Sequence, residues 1–132
     1  MIYLDSSVFL EGALLADKRG ETARKLLGEV QGGKRPAATS SLTYDEVFWV
    51  TKKYKGFKAA LEVAKAMLEM PNLTFLPVDT EILWMAHGLS EKYGLAPRDA
   101  IHAACALASG IRLIISSDAD FDRVRELQRK EI

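Results

Sequence analysis

The chain has 132 residues, 48% hydrophobic and 27% charged, the size and balance of one globular domain with a sizeable core. Lys and Arg total 18 against 18 Asp and Glu, so net charge points to neither nucleic acid nor membrane, and the single cysteine excludes an intramolecular disulfide framework. No apolar run reaches the roughly 18 residues of a membrane span, and Asp5 comes too early for a cleavable leader, so the chain reads as cytoplasmic.

Met1-Ile2-Tyr3-Leu4 is apolar and strand-favouring, and predicts a buried strand with Asp5 at its carboxyl end. Ser6 or Ser7 can cap a helix running through Val8, Phe9, Leu10, Leu14 and Leu15. After a polar break at Asp17–Gly20, Ala23, Leu26, Leu27 and Val30 recur at helical spacing. Gln31–Pro36 is a loop, and Ala37–Ser40 is a short second strand. A helix starts at Ser41, carries Asp45 and Glu46 in its opening turns, has Val47, Phe48, Val50 and Tyr54 on its apolar face, and breaks at Gly56. Phe57–Met70 is an amphipathic helix, with Met67 and Met70 in core or interface packing. Leu73–Val78 reads as a third strand whose Pro77 places its end at an edge or outside the ladder.

Asp79 caps the next helix, which ends near Gly94. Pro97 then opens a helix that stops at Gly110. This helix holds Ala100, Ile101, Ala103, Ala104, Cys105, Leu107 and Ala108, apolar nearly all round, so it is expected to be buried. Asp99 lies in its first turn, where the helix dipole favours a carboxylate. Ile111–Ile115 is a fourth strand, followed at once by Ser116-Ser117-Asp118-Ala119-Asp120-Phe121-Asp122. The tail from Val124 to Ile132 predicts a short helix, a final edge strand, or both.

Strands alternating with helices predict an α/β fold, three-layered, with a four- to five-stranded parallel sheet flanked by helices over residues 1–132 as one domain. In such sheets ligands bind outside the carboxyl ends of the strands. Asp5, Glu46 and Asp118 should therefore share one sheet edge. Asp99 is less constrained: its helix leads into a strand and is expected to begin at the opposite edge. Carboxylates gathered in one pocket repel and favour their protonated forms. A hard divalent cation with oxygen ligands, Mg²⁺ or Mn²⁺, removes that penalty and suits phosphodiester hydrolysis. His87, His102 and Cys105 have no zinc-ligand spacing, and no Gly-x-Ser-x-Gly or phosphate-cradling glycine loop is present.

The segments Ile2–Val8, Glu46, Arg98–Ala104 and Ser116–Asp122 together resemble the PIN domain, and within it the VapC-type toxins of prokaryotic toxin–antitoxin pairs. The resemblance runs over nearly the whole chain, with the Asp99 and Asp118 motifs its specific parts. It implies a metal-dependent endoribonuclease in which Asp5, Glu46, Asp99 and Asp118 are the metal-binding and catalytic acids, holding Mg²⁺ or Mn²⁺ at the phosphodiester of an RNA. It also implies that the Asp99 helix opens toward the acidic pocket. A protein antitoxin of VapB type and a homodimer are the implied partners, with Phe48, Trp49 and Phe57–Met70 as candidate surfaces.

Other residues keep two readings. Asp45 is an alternative to Glu46, but neighbours on a helix point about 100° apart, so only one fits. Asp120 and Asp122 either assist the metal or form a turn and helix start. Ser7 and Ser116 either hydrogen-bond ligand carboxylates or metal waters, or serve as cap and turn. His102, one turn beyond Asp99, reads as a buried hydrogen-bonded histidine rather than a base. Arg98, Lys52 and Lys53 either contact RNA phosphates or are solvated. Trp49, Trp84 and Tyr54 either stack bases or pack in core or subunit contacts. A non-catalytic PIN-like module binding RNA or protein, or a Mg²⁺-dependent phosphoryl-transfer domain, remains the alternative. For the latter, the second acid of the haloacid-dehalogenase pattern is replaced by Ser7.

Overall fold

Five short strands, β1 (Ile2–Leu4), β2 (Ala37–Ser40), β3 (Leu73–Leu76), β4 (Leu113–Ile115) and β5 (Gln128–Lys130), form one sheet in the order β3-β2-β1-β4-β5. Every pairing is parallel. The computed structural model describes all residues, Met1–Ile132. Six helices complete the chain: α1 (Ser6–Leu14), α2 (Lys18–Gln31), α3 (Ser41–Lys55), α4 (Phe57–Leu68), α5 (Thr80–Tyr93) and α6 (Pro97–Ala108). A 3-10 turn (Ala119–Arg123) links β4 to β5.

Alternation along the strands sorts the core into two layers, because successive side chains leave opposite faces. Ile2, Leu4, Ala37 and Ile115 pack with Val8, Phe9, Leu26, Val30, Val47 and Met67, under α1 to α4. Tyr3, Ala38 and Ile114 face the other way, against α5, α6 and the 3-10 turn, through Leu89, Ala100, Ala103, Ala104 and Phe121. Burying a residue such as Leu4 or Ile114 contributes about 1.5–3 kcal/mol. The centre of the sheet is covered on both faces, which is why β1 and β4 read as continuous apolar runs, whereas the edge strand β5 is Gln128-Arg129-Lys130.

Helix ends follow local chemistry. Asp17 accepts from the backbone N–H groups of Arg19 and Gly20 at the start of α2, and Asp79 accepts from Ile82 at the start of α5. Gly56 (φ 90°) turns α3 into α4, and Gly94 (φ 69°) ends α5, conformations that a side chain would strain. The cap expected from Ser6 or Ser7 is not formed. Asp5 occupies the N-cap of α1, no side chain caps that helix, and Ser7 is engaged elsewhere.

Two boundaries and one orientation differ from expectation. β3 stops at Leu76, with Pro77 outside the ladder, and β4 begins only at Leu113. The tail forms no helix; β5 adds to the sheet edge beside β4. The Asp99 helix does not begin at the amino edge of the sheet. A helix that feeds a parallel strand must end at the strand's start, so it runs antiparallel to the strands and opens at their carboxyl edge. α6 does this, delivering the chain through Gly110 to β4, with α5 packed alongside it.

Candidate metal centre

The strand order decides where the site lies. The chain builds β1, β2 and β3 outward in one direction and then returns to place β4 on the other side of β1. The crevice between the carboxyl ends of β1 and β4 is the switch point of the sheet. Asp5 leaves β1 and Ser116 leaves β4 at that crevice, with Asp5 N–H donating to the Ile115 carbonyl at 3.1 Å.

Two serines join the strand ends. Ser116 Oγ donates to Asp5 Oδ2 at 2.6 Å and accepts from Asp118 N–H at 3.0 Å. Ser7 Oγ donates to the same Asp5 oxygen at 3.0 Å and accepts from Ser117 N–H at 3.2 Å. Each hydroxyl is thus both donor and acceptor. Asp5 is buried; its Oδ2 accepts from the two hydroxyls, and its Oδ1 lies 3.6 Å from His102 Nε2. These bonds support the carboxylate-orienting reading of Ser7 and Ser116.

Carboxylate oxygens of Asp99, Asp118 and Asp120 lie within 4.8 Å of one another, a set that could hold a metal ion. Asp118 accepts from Asp120 N–H at 2.9 Å, which starts the 3-10 turn and brings Asp120 back toward Asp118. Burial raises the Asp99 carboxyl to about 6, and the negative charges of Asp118 and Asp5 push the same way. The donors are hard oxygens, the type that Mg²⁺ and Mn²⁺ prefer. Arg123 reaches Asp120 at 3.5 Å, but both side chains are about half exposed, so the pair screens the cluster little. The donor set fits a hard divalent ion.

Glu46 joins from α3. Thr39 donates to the Leu4 carbonyl at 2.8 Å and bonds Thr43 at 2.6 Å, a fully buried contact that sets the rotation of the first turn of α3. One turn further on, Glu46 faces inward and Asp45 faces solvent. Glu46 Oε1 lies 2.5 Å from His102 Nε2, whose other nitrogen is bonded by the Tyr3 hydroxyl at 2.7 Å. His102 is wholly buried, as its position predicted. Burial opposes its charge, yet the Glu46 bond and the charges of Asp5, Glu46 and Asp99 outweigh this and raise its pKa. Glu46 and Asp5 are not members of the Asp99–Asp118–Asp120 set; Asp5 links the two groups through its charge on Asp99.

Asp122 is turned away from the cluster. It forms a two-pronged ion pair with Arg129 at 2.9 and 3.1 Å, which holds its carboxyl below the usual range. Arg129 also donates to the Ser116 carbonyl at 3.1 Å, tying β5 to the loop that carries the site. Arg98 is exposed beside Asp99, whereas Lys52 and Lys53 lie in the last turn of α3, about 9 Å of helix rise beyond Glu46. Trp49, Trp84 and Tyr54 are exposed, which removes the core reading for all three. Burial pushes the Cys105 thiol up to about 11, with the charge of Asp79 adding to it, so the only cysteine is no nucleophile at neutral pH.

Sequence reasoning passed over Tyr3, Thr39, Thr43 and Arg129. Tyr3 carried a signal, a hydroxyl inside an apolar strand on the face opposite Ile2 and Leu4. Arg129 carried none.

A family model of the PIN domain matches residues 2–127. The chain belongs to the PIN domain family. Among solved structures, this PIN domain is similar to VapC20 of Mycobacterium tuberculosis, a sarcin–ricin loop cleaving toxin. The TM-score is 0.80 at 21% identity, covering 95% of each chain. It is also similar to VapBC2 of Rickettsia felis bound to a promoter DNA fragment, with TM-score 0.76, 18% identity, and 99% and 98% of the chains covered. A DNA-bound VapBC of Salmonella typhimurium matches with TM-score 0.74, 16% identity, and 98% and 96% covered. No curated protein matches the sequence.

Proposed function

We propose that residues 1–132 form one PIN-like domain that hydrolyses RNA phosphodiesters with a divalent metal ion, as a toxin of VapC type. The observation that carries this reading is the convergence of Asp99, Asp118 and Asp120 at the sheet switch point beside Asp5. Like charges gathered there make the metal-free protein less stable, and a divalent ion relieves that repulsion.

In this reading Asp5, Asp99 and Asp118 hold the ion, with Glu46 completing the acidic set, and Asp120 is positioned to contribute. When bound, Mg²⁺ or Mn²⁺ supplies water activation and charge neutralisation at phosphorus. Ser7 and Ser116 keep Asp5 turned into the crevice by occupying one of its oxygens. His102 is no general base, because its Nε2 is bonded to Glu46 and its Nδ1 to Tyr3. Arg98, exposed beside Asp99 at the mouth of α6, is placed to contact a phosphate. Lys52 and Lys53 serve at most as outlying contacts, since they lie at the far end of α3.

Two exposed apolar surfaces suit protein partners. One runs over α3 and α4 through Trp49, Tyr54, Phe57, Leu61 and Leu68; the other lies on α5 at Leu83, Trp84 and Met85. We assign them to an antitoxin of VapB type and to a second copy of the chain. No helix is long and apolar enough to cross a membrane.

The deciding experiment is RNA cleavage with and without Mg²⁺ or Mn²⁺, alongside Asp5→Asn and Asp99→Asn variants of verified fold. Metal-dependent cleavage lost in both variants supports the assignment. Full activity in Asp99→Asn would sink it. Metal binding without cleavage points to a toxin of narrow RNA specificity, and neither cleavage nor metal binding leaves the non-catalytic module as the better reading.

A further inference from the structure

Behind the acids lies a buried polar chain that metal coordination does not require. Tyr3 and His102 are each 0% exposed, in the layer between β1 and α6. Their rings meet edge to face, with centroids 5.8 Å apart. A phenol and an imidazole in an apolar layer cost free energy unless every polar atom is partnered. Here they are. The Tyr3 hydroxyl meets His102 Nδ1 at 2.7 Å, and His102 Nε2 meets Glu46 Oε1 at 2.5 Å and Asp5 Oδ1 at 3.6 Å.

The direction of these bonds follows from donor chemistry. Ionised carboxylates only accept, so His102 Nε2 carries a hydrogen and donates to Glu46. A tyrosine hydroxyl both donates and accepts, so Tyr3 satisfies Nδ1 whether or not that nitrogen also carries a proton. The imidazole is thereby fixed in one orientation, with its Nε2–H toward the site. Glu46 needs such an anchor. Its backbone is set by Thr39 and Thr43, but its side chain is longer than those of the three aspartates and would otherwise sample several rotamers at the crevice rim.

We propose that Tyr3 and His102 are positioning residues for Glu46, Tyr3 orienting the imidazole and the imidazole holding the carboxylate toward the acidic cluster. This inference rests on the metal-site reading for its consequence but not for its geometry. Removing an outer partner of a metal-binding carboxylate or imidazole commonly weakens the ion about 10- to 100-fold. Tyr3→Phe removes a single oxygen and keeps the ring in its slot, so about tenfold weaker Mn²⁺ binding is expected.

The test uses the full chain as wild type, Tyr3→Phe, His102→Gln, His102→Leu, Glu46→Gln and the Tyr3→Phe/Glu46→Gln double variant. Mn²⁺ binding is followed by electron paramagnetic resonance, and His102 protonation by long-range ¹H–¹⁵N NMR on metal-free protein. The expected results are a proton on His102 Nε2 in wild type, a displaced His102 signal in Tyr3→Phe, and weakened Mn²⁺ binding in Tyr3→Phe. Glu46→Gln should abolish the further effect of Tyr3→Phe, since the two act through one contact. His102→Gln retains an amide donor and should bind Mn²⁺ more tightly than His102→Leu. A wild-type ring protonated only on Nδ1, wild-type Mn²⁺ affinity in Tyr3→Phe, or full additivity in the double variant overturns the proposal. If wild type binds no Mn²⁺, the metal-site reading fails. The positioning claim is then decided by whether Tyr3→Phe displaces the His102 signal.

Discussion

Ser116 Oγ donates to Asp5 Oδ2 at 2.6 Å although the two residues lie 111 positions apart. One hydroxyl thereby joins the end of β1 to the loop after β4 and presents the Asp5 carboxylate to the crevice. Ser116→Ala leaves Asp5 Oδ2 with Ser7 as its only hydroxyl donor. A hydrogen bond to a charged, buried group is worth about 1.5–3 kcal/mol, so the variant should lose about that much stability in urea unfolding. Mn²⁺ affinity should fall with it. Unchanged stability and affinity would show that the bond does not orient Asp5.

Asp99 gives stability a definite pH dependence in metal-free protein. Its carboxyl titrates at about 6 when folded against an ordinary 3.8, so the folded state holds the proton more tightly. Its favourable contribution is complete below about pH 4 and is lost as pH rises through about 6. Allowing for the water that reaches a half-buried side chain, the loss is about 1 kcal/mol. Asp99→Asn should flatten this part of the profile and stabilise the metal-free protein at pH 7, while abolishing metal binding. Chemical denaturation between pH 4 and 8 checks the sign.

Metal binding should displace that same proton. Below pH 6, calorimetric titration with Mn²⁺ in buffers of different ionisation enthalpy should register proton release, and affinity should decline as pH falls. At 100 times Kd the ion should stabilise the fold by about 2.7 kcal/mol, reversed by a chelator. A midpoint insensitive to Mg²⁺ and Mn²⁺ would argue that no ion binds the cluster.

On α3, Glu46→Gln should impair Mn²⁺ binding and cleavage, whereas Asp45→Asn should change neither. Only the inward neighbour reaches His102. Equal losses in the two variants would mean that both acids serve the site.

Arg129→Ala removes the ion pair with Asp122 and the bond to the Ser116 carbonyl together. It should lower the unfolding midpoint more than Asp122→Asn does, and should weaken Mn²⁺ binding through the Ser116 loop. Asp122→Asn should leave binding intact, because its carboxylate faces Arg129 and not the cluster. Loss of binding in Asp122→Asn would restore it to the metal site.

Much of this molecule is legible along the chain because the relevant physics is local. Apolar period separates strands from helices, Gly94 ends one helix and Pro97 opens the next, and Asp79 caps the helix it precedes. Strand-then-acid punctuation placed Asp5 and Asp118 at a common edge, whereas helix geometry alone said only that one of Asp45 and Glu46 fits, and the family resemblance, not the local pattern, pointed to Glu46. Tertiary structure decided the remainder. The direction of α6 is fixed by the parallel pairing of β4 with β1, because the helix must end where that strand begins. The removal of Asp122 depends on Arg129, which arrives only when β5 pairs with β4. The Tyr3–His102–Glu46 chain joins a strand and two helices that are far apart in sequence. Hydrogen bonds and ion pairs act over about 3 Å, so their partners are fixed only once the sheet order brings those elements together.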